Sequence, residues 1–237
     1  MIVHGNRDWP TVRYLNSELK EVPGPPIAYG FGMEGVFGGS PRKFGQNQLR
    51  VLSEAGVPVP YFTDDWQEAI QWLKEENTIF GRNNQHTQGK DIALASWNKE
   101  DALPTVHSRF FQRAYWTLKV PGIIDEWRVH VFHTANGYRS IATGKKVADT
   151  PTSPLIKSRR NGWKIAYNHT PPKGLRPIAR QAVEALGYDF GAVDVVQTQD
   201  NATQDWREFV VLEVNSAPGL TCNHTQNVYK QAFTARR

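Results

Sequence analysis

Two apolar runs late in the chain each hold a carboxylate where a buried strand would be wholly apolar, and that pairing constrains the fold more than any other feature. Ala192-Val193-Asp194-Val195-Val196 reads as one strand and Phe209-Val210-Val211-Leu212-Glu213-Val214-Asn215 as a second, with a polar loop over 197–208 between them. Alternate side chains of a strand share a face. Ala192, Asp194 and Val196 then point one way, and Phe209, Val211, Glu213 and Asn215 share a face on the second strand. An antiparallel pair sets Asp194 beside Glu213. Two carboxylates among apolar neighbours repel each other and resist desolvation. A divalent cation relieves both problems, and Asn215 adds a neutral oxygen donor. Few, hard oxygen ligands open to phosphates point to magnesium. The alternative is a pair of strand-end carboxylates facing solvent or a lysine.

The 237 residues suffice for one large domain or two small lobes, with a core that needs no staples. The single cysteine, Cys222, excludes a disulfide framework and a four-cysteine zinc site. No apolar run approaches the roughly 20 residues of a membrane span, and residues 1–10 lack an apolar signal core. The expectation is a soluble cytoplasmic protein, of a host cell if virus-encoded, with no membrane partner. Lys plus Arg number 28 against 23 Asp plus Glu, a net +5. That modest excess suits nucleotide phosphates and keeps nucleic acid open as a partner.

Alternating short strands and helices make an α+β chain. Residues 1–40 crowd Gly24, Gly30, Gly32, Gly35, Gly38 and Gly39 around Pro23, Pro25 and Pro26, which reads as loop with little regular structure. No Lys-Ser/Thr follows the glycines, so a P-loop is unsupported. A helix is expected from Pro41, with Phe44, Gln48, Leu49, Leu52 and Ala55 at helical spacing and Gly56 closing it. Thr63 caps the next helix, whose stripe is Trp66, Ala69, Ile70 and Leu73. Strand signals follow at 78–80, 92–95, 109–112 and 126–132. Asn136-Gly137 predicts a type I′ turn, with 138–143 pairing back. Asn161-Gly162 marks a second hairpin after an exposed loop over 149–158. A late helix carries Leu175, Ile178, Ala179, Ala182, Val183 and Leu186, with Pro177 in its first turn and Gly187 at its end.

The Glu213-Val214-Asn215-Ser216-Ala217-Pro218-Gly219 segment resembles the last core strand of the ATP-grasp superfamily, and 185–194, ending in Asp194, looks like the upstream element bearing the family's first metal acid. Further matches follow in the family's order. Ile79-Phe80-Gly81-Arg82 is similar to the strand whose terminal cation meets nucleotide phosphates. His86-Thr87-Gln88-Gly89-Lys90-Asp91 resembles the mobile lid loop, with a Thr-Gln-Gly core also seen in the ribosomal-protein glutamate ligases. Phe110-Phe111-Gln112-Arg113-Ala114 resembles the hinge strand, whose backbone edge reads adenine. Glu126-Trp127-Arg128-Val129-His130 resembles the acid–any–Arg strand.

The resemblance implies two α+β lobes clamping a nucleotide, mainly antiparallel sheets and a reduced N-terminal domain. The expected division is an irregular segment over 1–40, a helix and lid lobe over 41–115, and a core lobe with the metal site over 116–237. It implies ATP and magnesium as cofactors, with Asp194, Glu213 and Asn215 on the metal. Lys43, Arg82, Thr87, Gln88, Gly89, Gln112, Arg113, Ala114, Glu126 and Arg128 would bind nucleotide. Arg128 and one of Lys145 or Lys146 would serve catalysis, since adjacent strand residues face opposite ways. The compact form is similar to small viral and mobile-element members. The implied activity is ligation of a carboxylate to an amine, carried by a small molecule, peptide or protein, through an acyl-phosphate, with release of ADP and phosphate. The rivals are a small-molecule kinase and a non-catalytic nucleotide- or nucleic-acid-binding module. His130 and His133 are three apart and face opposite sides of a strand, which argues against zinc. His224 is a candidate lining residue of the acceptor site, and Cys222 reads as an inert thiol.

Overall fold

The computed structural model describes residues 1–30, 36–38, 45–75, 77–84, 92–98, 103–106, 109–199 and 208–236. The expected α+β class, with mainly antiparallel sheets, is what it shows. Three sheets form. Residues 1–38 are not the irregular segment that their Gly and Pro content suggests. Strands β1 (Val3–His4), β2 (Ile27–Ala28) and β3 (Phe37–Gly38) form a small parallel sheet, and α1 (Pro10–Leu19) links the first two. Pro10 sits where a helix needs no N–H. Val12, Leu15 and Leu19 are buried on one face of α1.

Next come α2 (Gly45–Glu54) and the lid sheet: β4 (Phe62–Thr63), β5 (Ile79–Arg82), β6 (Ala93–Asn98), β7 (Leu103–Val106) and β8 (Tyr115–Leu118). Its order is β4-β8-β5-β6-β7, with every pairing antiparallel. Helix α3 (Trp66–Lys74) covers one lid face through Ala69 and Leu73, which pack with Ile79, Phe110 and Trp116. Its cap is Asp65, which accepts from Gln67 N at 2.8 Å, and not Thr63, which belongs to β4. Trp66, expected in the buried stripe of this helix, is exposed. Helix α2 ends as expected at Gly56, with φ +72. It serves the core lobe, because the Gln48 amide pairs with both Val214 N and Val214 O.

The core sheet has the order β11-β10-β9-β12-β13, from β9 (Ile123–Thr134), β10 (Gly137–Ala148), β11 (Trp163–Ala166), β12 (Phe190–Thr198) and β13 (Phe209–Asn215). Two turns differ from expectation. Thr134 pairs with Gly137, so Ala135 and Asn136 are the central residues of the first hairpin. Gly162 ends a short 3-10 turn, Arg159–Asn161, and a long loop separates β10 from β11. Helix α4 (Leu175–Ala185) covers the back of the sheet, burying Ala179 and Val183 against Trp127, Val129, Val131, Val193 and Val195. Helix α5 (Asn223–Thr234) and the N-terminal unit cover the far end of the front, where Phe132 and Phe190 meet Tyr29, Phe37, Tyr229 and Phe233. The rest of the front is left for Glu126, Arg128 and Asp194.

The lobes part later than expected. β8 belongs to the lid, and the chain crosses to the core at residues 119–122. No helix among the described residues is long and apolar enough to cross a membrane.

Candidate functional site

Register assembles the site. Gly144 lies opposite Arg128, Arg128 opposite Asp194, and Asp194 opposite Glu213, so one row crosses four strands. The next row runs Ala142, His130, Ala192 and Asn215. A bulge decides the position of Glu213: Val195 pairs with Val211 but Asp194 pairs with Glu213, which leaves Leu212 extra. A bulge re-aims the side chains that follow it. Phe209 and Val211 therefore pack on the back with Val214, and do not share the face of Glu213 and Asn215.

Four charges, three of them with buried side chains, alternate in sign. Arg128 donates to Asp194 through Nε to Oδ1 at 2.7 Å and Nη2 to Oδ2 at 2.8 Å. Lys146 Nζ lies 3.0 Å from Asp194 Oδ2 and also donates to Glu126 Oε1. Burial pushes the Asp194 carboxyl up, but Arg128 and Lys146 outweigh it and hold the group below its ordinary range. Burial also leads at Glu126, and there it wins over Lys146, leaving that carboxyl raised. Burial opposes the Lys146 charge, but Asp194 and Glu126 keep its pKa above the usual lysine value. Asn215 Nδ2 donates to Glu213 Oε1 at 3.1 Å.

Of the two candidate lysines, only Lys146 joins this cluster. Lys145 lies on the other face, with Nζ 2.6 Å from Asp125 Oδ1 and over the Trp127 ring. The alternation of a strand separates them.

His130 is fully buried. Its Nδ1 lies 3.2 Å from the Tyr229 hydroxyl and its Nε2 lies 3.1 Å from the Tyr167 hydroxyl. Burial and then Arg128 push its pKa down to about 3. The ring is neutral, so one nitrogen donates and the other accepts. Tyr167, which the sequence reading missed, reaches the site because residue 144 is glycine. A Cβ there would lie 2.4 Å from Ile165 Cγ2 and 3.0 Å from the Tyr167 ring. A glycine inside a strand signals such a close approach. The Tyr167 ring packs 4.8 Å from that of His224, which lines this end of the site. Cys222 takes the N-cap position of α5.

The lid contributes Arg82 at the end of β5. Its guanidinium lies over Phe80, on the face away from Ile79 and α3. Tyr115 is its antiparallel partner. Burial raises the Tyr115 pKa to about 12, with Arg82 lowering it and Glu213 raising it. Arg82 Nε is buried with no hydrogen-bond partner among the described residues. Gln112, Arg113 and Ala114 form no hinge strand. Phe110–Gln112 is a 3-10 turn, held where Trp116 Nε1 donates to Phe110 O. Gln112 and Ala114 are exposed, and the Arg113 stem fills the space over Gly81, on the face opposite Arg82. The stretch that does link the lobes is 119–122, where Lys119 N donates to Thr78 O in the lid and Gln199 N to Gly122 O in the core. Lys43, Thr87, Gln88 and Gly89 lie outside the described residues.

No protein-family model and no curated protein matches the chain. Solved structures do. A D-cycloserine synthetase, DcsG, is similar at 16% identity and TM-score 0.60, over 94% of this chain and 93% of that one. The D-alanine–D-alanine ligase of Bacillus anthracis is similar at 12% identity and TM-score 0.58, over 98% and 79%. The ATP-grasp ligase PsnB, complexed with a minimal precursor, is similar at 15% identity and TM-score 0.57, over 96% and 69%. The chain has the ATP-grasp fold.

In this ATP-grasp fold, the lid sheet carries Arg82 at the end of β5, and the core sheet carries Lys146, Arg128, Asp194 and Glu213. Asp194, Glu213 and Asn215 supply only hard oxygens from neighbouring positions of one face, a donor set that fits magnesium. No group of three His, Cys, Asp or Glu able to hold an ion exists among the described residues.

Proposed function

We propose that the chain is an ATP- and magnesium-dependent ligase that activates a carboxylate as an acyl-phosphate and joins it to an amine or related nucleophile. The observation that carries the reading is the Arg128–Asp194–Glu213 row, with Lys146 on Asp194. Support comes from similar structures described as ATP-grasp ligases, among them PsnB with Mg and ADP.

Asp194, Glu213 and Asn215 would hold the metal, which supplies positive charge beside the phosphates. Residues 119–122 take over from 110–114 as the backbone edge for adenine. A substrate carboxylate oxygen attacks the γ-phosphorus, the bond to ADP breaks, and a mixed anhydride forms. The nucleophile then attacks the acyl carbon, and phosphate leaves. Charge spreads over the transferring phosphoryl oxygens, so positioning and electrostatics carry the catalysis and no protein nucleophile is needed. Arg128 offers a rigid fork pinned by Asp194, whereas Lys146 offers a point charge on a flexible stem. Tyr167 and His224 line the acceptor end.

The test is ADP release with a panel of carboxylates, without and then with amines, followed by mass analysis of the product. Carboxylate-dependent ADP release and an amide product support the ligase. A phosphorylated hydroxyl with no ligated product assigns a kinase instead.

A further inference from the structure

We infer that Lys146 is an internal counter-ion that reserves Asp194 for a metal–nucleotide complex, so that the ligand-free chain takes up no free divalent ion at Asp194. The inference rests on the nucleotide reading above.

Both Asp194 oxygens are already engaged. Oδ1 receives Arg128 Nε at 2.7 Å, and Oδ2 receives Arg128 Nη2 at 2.8 Å and Lys146 Nζ at 3.0 Å. The Asp194 side chain is 4% exposed and those of Lys146 and Glu126 are each 8% exposed. Two cations, Arg128 and Lys146, therefore already serve Asp194, and the Asp194, Lys146 and Glu126 side chains are nearly closed to water. A free divalent ion on Asp194 would add two charges beside two cations, in a medium where repulsion is weakly screened. It would also have to displace the Lys146 ammonium from Asp194, leaving that buried cation with Glu126 alone. Breaking a buried pair that way is strongly unfavourable.

A nucleotide changes the balance, because its phosphates bring the anions that replace Asp194 for Lys146. The residue types suit the division of labour. Arg128 grips both oxygens as a fork and stays, while Lys146 makes a single point contact and can move. Lys145 supplies the internal control. It carries the same charge one residue away, but it pairs with Asp125 on the other face.

The probe is Mn2+, with the free ion counted by its paramagnetic resonance signal on the full chain, with and without a non-hydrolysable ATP analogue. Wild type is expected to retain Mn2+ at this site only when the analogue is present. Lys146→Met is expected to bind Mn2+ alone at least about tenfold more tightly than wild type. The double variant Glu126→Gln/Lys146→Met, which keeps the buried charges balanced and so protects the fold, is expected to do the same. Lys145→Met is expected to match wild type. Wild type binding Mn2+ alone as tightly as Lys146→Met overturns the inference, and so does an equal gain in Lys145→Met. If the analogue binds to none of the proteins, the nucleotide reading fails, while the Mn2+ comparison in its absence still decides the role of Lys146.

Discussion

At the scale of single residues, Asp194 and Glu213 illustrate how a strand tolerates charge. Asp194 lies between Val193 and Val195 and Glu213 precedes Val214, all packed on the back of the sheet, while Asp194 meets Arg128 and Lys146 on the front. Glu213→Gln keeps the shape and removes one charge from the proposed metal site. Nucleotide turnover is expected to fall to background in that variant, and near wild-type ADP release would remove Glu213 from the site. His130 gives a prediction in pH. Its folded pKa, about 3, lies below the ordinary 6.5, so the unfolded chain takes up the proton first. Its contribution is complete above about pH 6.5 and is lost as pH falls towards 3, at up to ~1.4 kcal/mol per pH unit. Urea titrations between pH 7 and pH 4 should show that slope in wild type and a flatter one in His130→Gln. Gly144→Ala forces a methyl against Ile165 and Tyr167 and should cost about 1–3 kcal/mol, read as a lower melting temperature. Part of this cluster was legible, because Asp194, Arg128 and Glu126 obey strand alternation. Tyr167 was not, because its place depends on the missing side chain of Gly144, three strands away from Glu213.

At the scale of elements, the bulge at Leu212 and the N-terminal unit do the most to shape the site. Simple alternation through β13 would have left Glu213 on the face of Phe209 and Val211, and only the extra residue separates them. A one-residue irregularity leaves no mark in hydrophobic periodicity, so the sequence alone places Glu213 beside the wrong neighbours. α1 was hidden differently. Val12, Leu15 and Leu19 keep helical spacing, but the glycines and prolines after residue 22 dominate the local composition. The unit they build braces the chain just beyond Asn215: Tyr29 OH donates to Pro218 O, and Leu220 N donates to Thr11 Oγ1 at 3.1 Å. Leu15→Ala, at a fully buried position, should cost about 2–5 kcal/mol by chemical denaturation. The stretch 110–114 shows the limit of motif order. It has the right place in sequence, but Phe110 is drawn into the lid core and closes a 3-10 turn, and the link between lobes forms a few residues later.

At the scale of the whole molecule, two antiparallel sheets are joined by residues 119–122, with Arg82 on the lid sheet and the Asp194 cluster on the core sheet. The lid is a small sheet packed on one helix, while the core carries α4 and α2 behind it and α5 with the N-terminal unit in front. A ligand that bridges the two sheets should therefore stabilise the folded chain by linkage. The most direct measurement is the melting temperature with magnesium and a non-hydrolysable ATP analogue together, against each alone. At about 100-fold over Kd, binding adds roughly 2.7 kcal/mol. At roughly 2–4 °C per kcal/mol for a chain of this size, the pair together should raise the melting temperature by about 5–10 °C. No rise with the pair, and stabilisation by nucleic acid in its place, would contradict the nucleotide reading.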